Sequence, residues 1–165
     1  MKYITDIYKI IEKESILYEE RNLSKLKSKG IYVKLNGYKP MIFIDKKIIH
    51  NNSTYISILA EELGHYFTTH GDLIEASKSP NDSLVKIKKE NLAREWAANF
   101  LINNDEFVQA LLACIGTKYD MCEYFNVNYE ILDTKINCIL RDEKKYKEIK
   151  EKLKEHEFQY NSCTI

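Results

Sequence analysis

Residues 56–71 read ISILAEELGHYFTTHG, and the fold turns on reading them as one helix. Ile56, Leu59, Ala60, Leu63 and Phe67 recur at three- and four-residue steps, which makes one apolar helix face that can bury. Asn51, Asn52 and Ser53 precede the run as N-cap residues and Gly71 is a natural stop, so the helix is predicted to run to about Thr69. Glu61 and His65 lie four apart on the other side, offset by about 40°, and Glu62 lies about 100° further round than Glu61. Gly64 weakens a helix interior. Its expected benefit is to let another backbone pass close by.

Upstream, Ile4, Ile7, Tyr8, Ile11, Ile16 and Leu17 predict an amphipathic helix from residue 3 to about 22. Ile31 to Leu35 and Met41 to Ile44 read as strands around the hairpin signal Asn36-Gly37, with Ile48-Ile49 as the start of a third. Downstream, helices are expected at about 84–102, 105–114, 120–125, 129–140 and 142–157, after a polar loop over 72–82. The expected class is α+β, mostly α, with a small antiparallel sheet packed against the central helix. Residues 1–140 read as the main domain, and 141–165 as a charged C-terminal helix with a loose tail.

The chain has 165 residues, 44% of them hydrophobic, which is enough for a real core. Its 25 basic and 25 acidic side chains cancel. That balance argues against a dedicated nucleic-acid binder. No apolar run reaches the ~20 residues of a membrane span, and the N-terminal stretch lacks the apolar core of a signal peptide, so the expected compartment is the cytoplasm. Cys114, Cys122, Cys138 and Cys163 have no metal or C-x-x-C spacing and are expected as reduced thiols in or near the core.

Glu61-Glu62-Leu63-Gly64-His65 is one substitution away from the H-E-x-x-H helix of zinc proteases. Glu61 and His65 can point at one ion. Glu62 then sits where a water-activating base belongs. A third donor is sought on the next long helix, KKENLAREWAANFLI, whose apolar face is Leu92, Ala93, Trp96, Ala97 and Phe100. Glu90 lies on the border of that face, whereas Glu95 lies opposite it and should see solvent. His70 points away from Glu61 if the helix continues that far. His50, His156 and Asp72 have no partner at metal spacing.

The run LAEELGHYFTTHGD, followed by E-N-L-A-R-E-W-A-A-N-F-L-I, resembles the ImmA/IrrE metallopeptidases, in particular those of Firmicutes phages and mobile elements. The family's downstream signature, about E-x-x-A-x-x-F-A with two apolar residues after it, falls on Glu90, Ala93, Trp96, Ala97, Leu101 and Ile102. The resemblance implies Glu90 and His65 as metal ligands and Glu62 as general base. It also implies one divalent ion, Zn²⁺ in the first place, and metal-assisted cleavage of a helix-turn-helix repressor that derepresses mobile-element or stress genes. The chain departs from the family at Glu61, where histidine is usual. Carboxylate can ligate zinc, but two carboxylates neutralise the ion, weaken its pull on water and favour the harder Mn²⁺ or Fe²⁺.

Two rivals stand beside that reading. One is a catalytically weak or inactive family member that binds a repressor without cutting it. The other is a DNA-binding module over residues 120–139, which has helix-turn-helix proportions. Its would-be recognition helix, YEILDTKINCIL, carries one lysine against two acids, a poor match for phosphate. The expected partner is therefore a protein substrate, with no direct nucleic-acid contact and no membrane. Oligomeric state is not legible in the sequence.

Overall fold

The N-terminal helix α1, Ile4–Lys13, buries Ile7 and Ile11 and is half the expected length. Ser15 adopts the left-handed conformation (φ 54°), and the Ile16 N–H bonds back to the Ile11 carbonyl at 2.9 Å, which closes the helix. Leu17–Arg21 then form strand β1 rather than a continued helix. The cause is tertiary. On its inner face the Tyr18 hydroxyl bonds Glu20 at 2.8 Å and also the Tyr55 hydroxyl, which the Tyr8 hydroxyl meets at 2.6 Å. The computed structural model describes residues 4–69 and 80–157. The expectations placed on His70, Gly71, Asp72, Cys163, the first part (72–79) of the loop expected over 72–82 and the tail from Phe158 lie outside the described residues, whereas 80–82 are helical rather than loop.

β2, Gly30–Val33, and β3, Met41–Asp45, pair antiparallel, with Val33 opposite Met41 and Gly30 opposite Ile44. β1 pairs parallel with β3, from Leu17 opposite Met41 to Arg21 opposite Asp45. The sheet order is β1-β3-β2, so the sheet is mixed rather than wholly antiparallel. Asn36-Gly37 does lie in a turn, closed by the Tyr38 N–H on the Leu35 carbonyl at 3.1 Å with Gly37 at φ 82°. The turn sits within a longer loop rather than a two-residue hairpin. The expected third strand at Ile48-Ile49 is absent. Lys46–Ile48 form a 3-10 turn there, capped by the Asp45 carboxylate on the Lys47 N–H at 3.0 Å.

The central helix α2, Asn52–Thr68, is capped by Asn51, whose side chain accepts from the Thr54 N–H. Every residue from Tyr55 to His65 is buried. A helix buried all round has no solvent face to carry polar groups, so each of its polar side chains needs a partner within the protein. Ser57 illustrates this: its hydroxyl accepts from the Asn128 N–H at 2.9 Å. Ile42 and Ile44 of β3 are fully buried on the sheet side. Phe67, expected within the buried face, is 40% exposed and stacks on Trp96 instead.

Helix α3, Pro80–Leu101, packs on α2 through Ala93, Ala97 and Ala98, all fully buried, whereas Leu92 faces outward. Then follow α4, Asn104–Leu112, α5, Lys118–Phe125, α6, Tyr129–Arg141, and α7, Glu143–Glu157. Asn126 takes the left-handed turn (φ 52°) between α5 and α6. α7 docks on the body through Ile149, which belongs to the main core, and Leu153 packs against that core. Seven helices and one small sheet make the described chain α+β with helix dominating. None of these helices is long and apolar enough to cross a membrane. Cys122 and Cys138 are free thiols, whereas Cys114 takes part in a disulfide, which corrects the expectation for that residue.

Gly64 is where α2 and α3 touch. A methyl group there would lie 2.3 Å from the Ala93 carbonyl oxygen and 3.0 Å from its carbon. Gly64→Ala should therefore destabilise the fold by about 1–3 kcal/mol in spite of better helix propensity. It should appear as a lower urea midpoint at unchanged slope; a midpoint equal to wild type would show that α3 yields freely.

Lys135 on α6 is 1% exposed and donates to the Asn99 and Asn104 side chains at 2.9 and 2.7 Å. Burial without a carboxylate partner pushes its ammonium down from 10.5 to about 8. Between those values the unfolded chain binds more protons than the folded one, so this residue's contribution to stability rises with pH. Relative to Lys135→Met, wild type should gain on the order of 2 kcal/mol between about pH 7.5 and 9.5. Urea midpoints of both proteins at the two pH values check this, and parallel responses would refute it.

Candidate metal centre

The buried stretch of α2 leaves Glu61, Glu62 and His65 only 7%, 8% and 4% exposed. All three line a cleft of about 450 Å³ between β2 and α3. Glu90 lines the same cleft from α3, whereas Glu95 lies outside it and accepts from Arg141 at 2.6 Å. His50 is exposed, outside the cleft. Thus the cleft gathers Glu61, Glu62, His65 and Glu90.

His65 is held from both ends. Its Nδ1 is 3.2 Å from the Thr69 hydroxyl, one helical turn on. Its Nε2 is 3.3 Å from a Glu90 carboxylate oxygen. With Thr69 accepting from Nδ1–H, the Nε2 lone pair is free for a cation; in the other tautomer Nε2–H donates to Glu90. Contact with His65 holds the Glu90 carboxyl below its ordinary range, against the opposing effect of partial burial.

Glu62 is wedged beneath β2. A methyl group on Gly30 would lie 2.5 Å from a Glu62 carboxylate oxygen and 2.6 Å from Ile58, so only glycine allows this approach. The Tyr32 backbone N–H donates to Glu62 and favours its ionised form. That one bond is outweighed. Burial, with Glu61 and Glu90 close by, holds the Glu62 carboxyl well above the ordinary range.

Glu61 is turned toward Arg94. The guanidinium Nη2 donates to its carboxylate at 2.8 Å, and Arg94 Nε is buried without a hydrogen-bond partner. Burial pushes the Glu61 carboxyl up and Arg94 pulls it down, with burial the larger influence. Arg94 follows Glu90 by one helical turn, so helix spacing placed it on the same side of α3; its pairing with Glu61 was not foreseen. The roles of Gly30 and Thr69 were likewise missed, although glycine at the start of a strand is itself a sign of close backbone approach.

With Glu61 engaged by Arg94, no group of three His, Cys, Asp or Glu side chains among the described residues is gathered around one point. The chemistry of the donors nevertheless fits a divalent cation. An imidazole nitrogen and a carboxylate from different helices already face each other. Two further carboxylates share the cleft, and burial, with the nearness of Glu61 and Glu90 after it, holds Glu62 up, an imbalance that a cation relieves. The remaining candidate donor, Glu61, is held by Arg94.

A family model described as the IrrE N-terminal-like domain, a peptidase family, matches residues 12–137. The chain belongs to this family, which supports a metallopeptidase-like function, a protein substrate and a divalent metal. No curated protein and no solved structure matches the chain significantly.

Arg94→Gln should release Glu61 to the cleft. Co²⁺ titrated into the variant, followed by absorbance and calorimetry, should bind at least ~10-fold more tightly than to wild type, the scale of removing one nearby like charge. Equal affinities would show that Arg94 does not compete with a metal ion.

Proposed function

We propose that this member of the IrrE N-terminal-like family is a metal-dependent endopeptidase acting on a helix-turn-helix repressor, so that cleavage derepresses mobile-element or stress genes. The observation that carries the reading is the meeting of His65 and Glu90 at 3.3 Å in a cleft that also holds Glu61 and Glu62. His65, Glu90 and Glu61 would hold one divalent ion, Zn²⁺ or, given two carboxylates, Mn²⁺ or Fe²⁺. When bound, that ion supplies polarisation of the scissile carbonyl and acidifies a water molecule.

The remaining work falls to the chain itself. Glu62 accepts the water proton and passes it to the leaving amine. The Tyr32 N–H steadies its carboxylate, and Gly30 leaves the room it needs. Thr69 sets the ring of His65. β2 is an edge strand. The Asp45 N–H bonds the Lys29 carbonyl at 2.8 Å, so by antiparallel alternation Gly30 and Tyr32 turn their backbone groups away from β3. An extended substrate can lie along that edge, over the carboxylates.

The Arg94–Glu61 pair favours a second reading, a protein that holds the repressor without cutting it. Glu62→Gln separates the two. Under the first reading, cleavage of the repressor encoded beside this chain should fall by about 10²–10⁴-fold. Metal content by elemental analysis should stay at the wild-type level in Glu62→Gln and drop in His65→Ala. Full relief of repression by Glu62→Gln would discard hydrolysis in favour of binding.

A further inference from the structure

The 25 positive and 25 negative charges of the chain balance only in total. Between Lys25 and Lys47 there are seven lysines, at 25, 27, 29, 34, 39, 46 and 47, and one acid, Asp45. All seven lysines are exposed, and none is ion-paired with a described residue. Asp45 is buried and spends its carboxylate on the Lys47 backbone N–H. An excess this large, left unpaired in a chain of zero net charge, is a surface that favours a negative partner.

The excess borders the cleft. Lys27 and Lys29 line it on the β2 side, and Lys86 lines it from α3, one turn before Glu90. The floor between them is acidic, with Glu61, Glu62 and Glu90. A partner charged uniformly along its length would meet repulsion there. That disfavours a phosphate backbone, which carries a charge at every nucleotide. A polypeptide can place acids only where they are wanted, and the Gly30 N–H and Tyr32 carbonyl, turned away from β3, suit an extended peptide, whereas the Gly30 carbonyl accepts from Ser28 and the Tyr32 N–H serves Glu62.

We propose that Lys27, Lys29 and Lys86 select an extended polypeptide segment with acidic side chains on either side of neutral residues that sit over the carboxylate floor. The inference rests on the cleft being a peptide site, as proposed above, and names the class of segment it takes. The acids meet the rim, the uncharged residues lie over Glu62, and the backbone adds to β2. The selection is electrostatic, so it acts on encounter and register and weakens with salt.

Binding is measured by fluorescence anisotropy with the full Glu62→Gln chain, so that cleavage does not enter. The probes are a labelled peptide with a neutral centre and Asp/Glu flanks, the same peptide with Asn/Gln flanks, and a labelled DNA duplex. The acidic peptide should bind about tenfold more tightly than its amide analogue in low salt, the scale that three exposed charge pairs reach, and most of the advantage should vanish at about 0.5 M salt. Combined Lys27→Glu, Lys29→Glu and Lys86→Glu substitution should abolish or reverse the preference, while Lys144→Glu on α7 should leave it intact. Equal binding of the two peptides, or binding of the duplex alone, would overturn the proposal. An acid preference in a chain that never cleaves would refute hydrolysis and leave the inference standing. Cleavage without an acid preference would do the reverse.

Discussion

α2 and α3 meet backbone to backbone at Gly64 and Ala93, and the geometry of the cleft depends on that contact. One residue beyond Gly64 stands His65, and one turn before Ala93 stands Glu90. The two side chains meet at 3.3 Å only because no side chain separates the helices between them. The small residues Ala93 and Ala97 extend the close approach along α3. The sheet supplies a second close approach, with Gly30 admitting Glu62 beneath β2. Two glycines far apart in sequence therefore position three of the four candidate site residues, His65, Glu90 and Glu62. Both act by omission: each removes a Cβ where another group must stand.

The interior electrostatics follow from this packing. Residues 55–65 of α2 are buried, and besides Tyr55 they include three ionisable side chains, Glu61, Glu62 and His65. Burial raises both adjacent glutamates, and the two respond differently. Glu61 has a guanidinium at 2.8 Å to offset its desolvation. Glu62 has one backbone N–H to set against its burial and two acidic neighbours, so its carboxyl is held further above the ordinary range. The environment of Glu62, rather than its position on the helix, thus sets which way its carboxyl is pushed.

Much of this was legible because it is local. The asparagine caps at 51, 103 and 128, the three- and four-residue periodicities, and the Asn126 turn place most helices within a few residues of where they lie. The same periodicity put Glu90 at the edge of the buried face of α3 and Glu95 away from it. What stayed hidden is non-local. Leu17–Arg21 have good helix formers and apolar residues in helical register, yet they form a strand because Tyr18 and Glu20 meet Tyr55 and the backbone meets β3. Periodicity sees neither a parallel neighbour over twenty residues away nor the burial of Lys135 between two asparagines. It also misassigned Leu92 and Phe67, which lie on the outer border of the helix pair.

Position 61 shows most sharply what a motif can and cannot say. Read alone, Glu61 is a lost histidine. Read with Arg94, it is half of a partly buried pair, and the two residues form one unit on facing helices. Removing either partner from such a pair leaves an uncompensated charge, which is the costly event in a low-dielectric interior. A histidine at 61 would take from Arg94 the carboxylate that its Nη2 now bonds at 2.8 Å, with Glu62, Glu90 and Glu130 the other acids lining that cleft. The departure from H-E-x-x-H is therefore physically consistent only when positions 61 and 94 are considered together. The same coupling bears on the cleft as a whole: of its carboxylates, Glu61 already faces a cation, supplied by the chain one turn after Glu90.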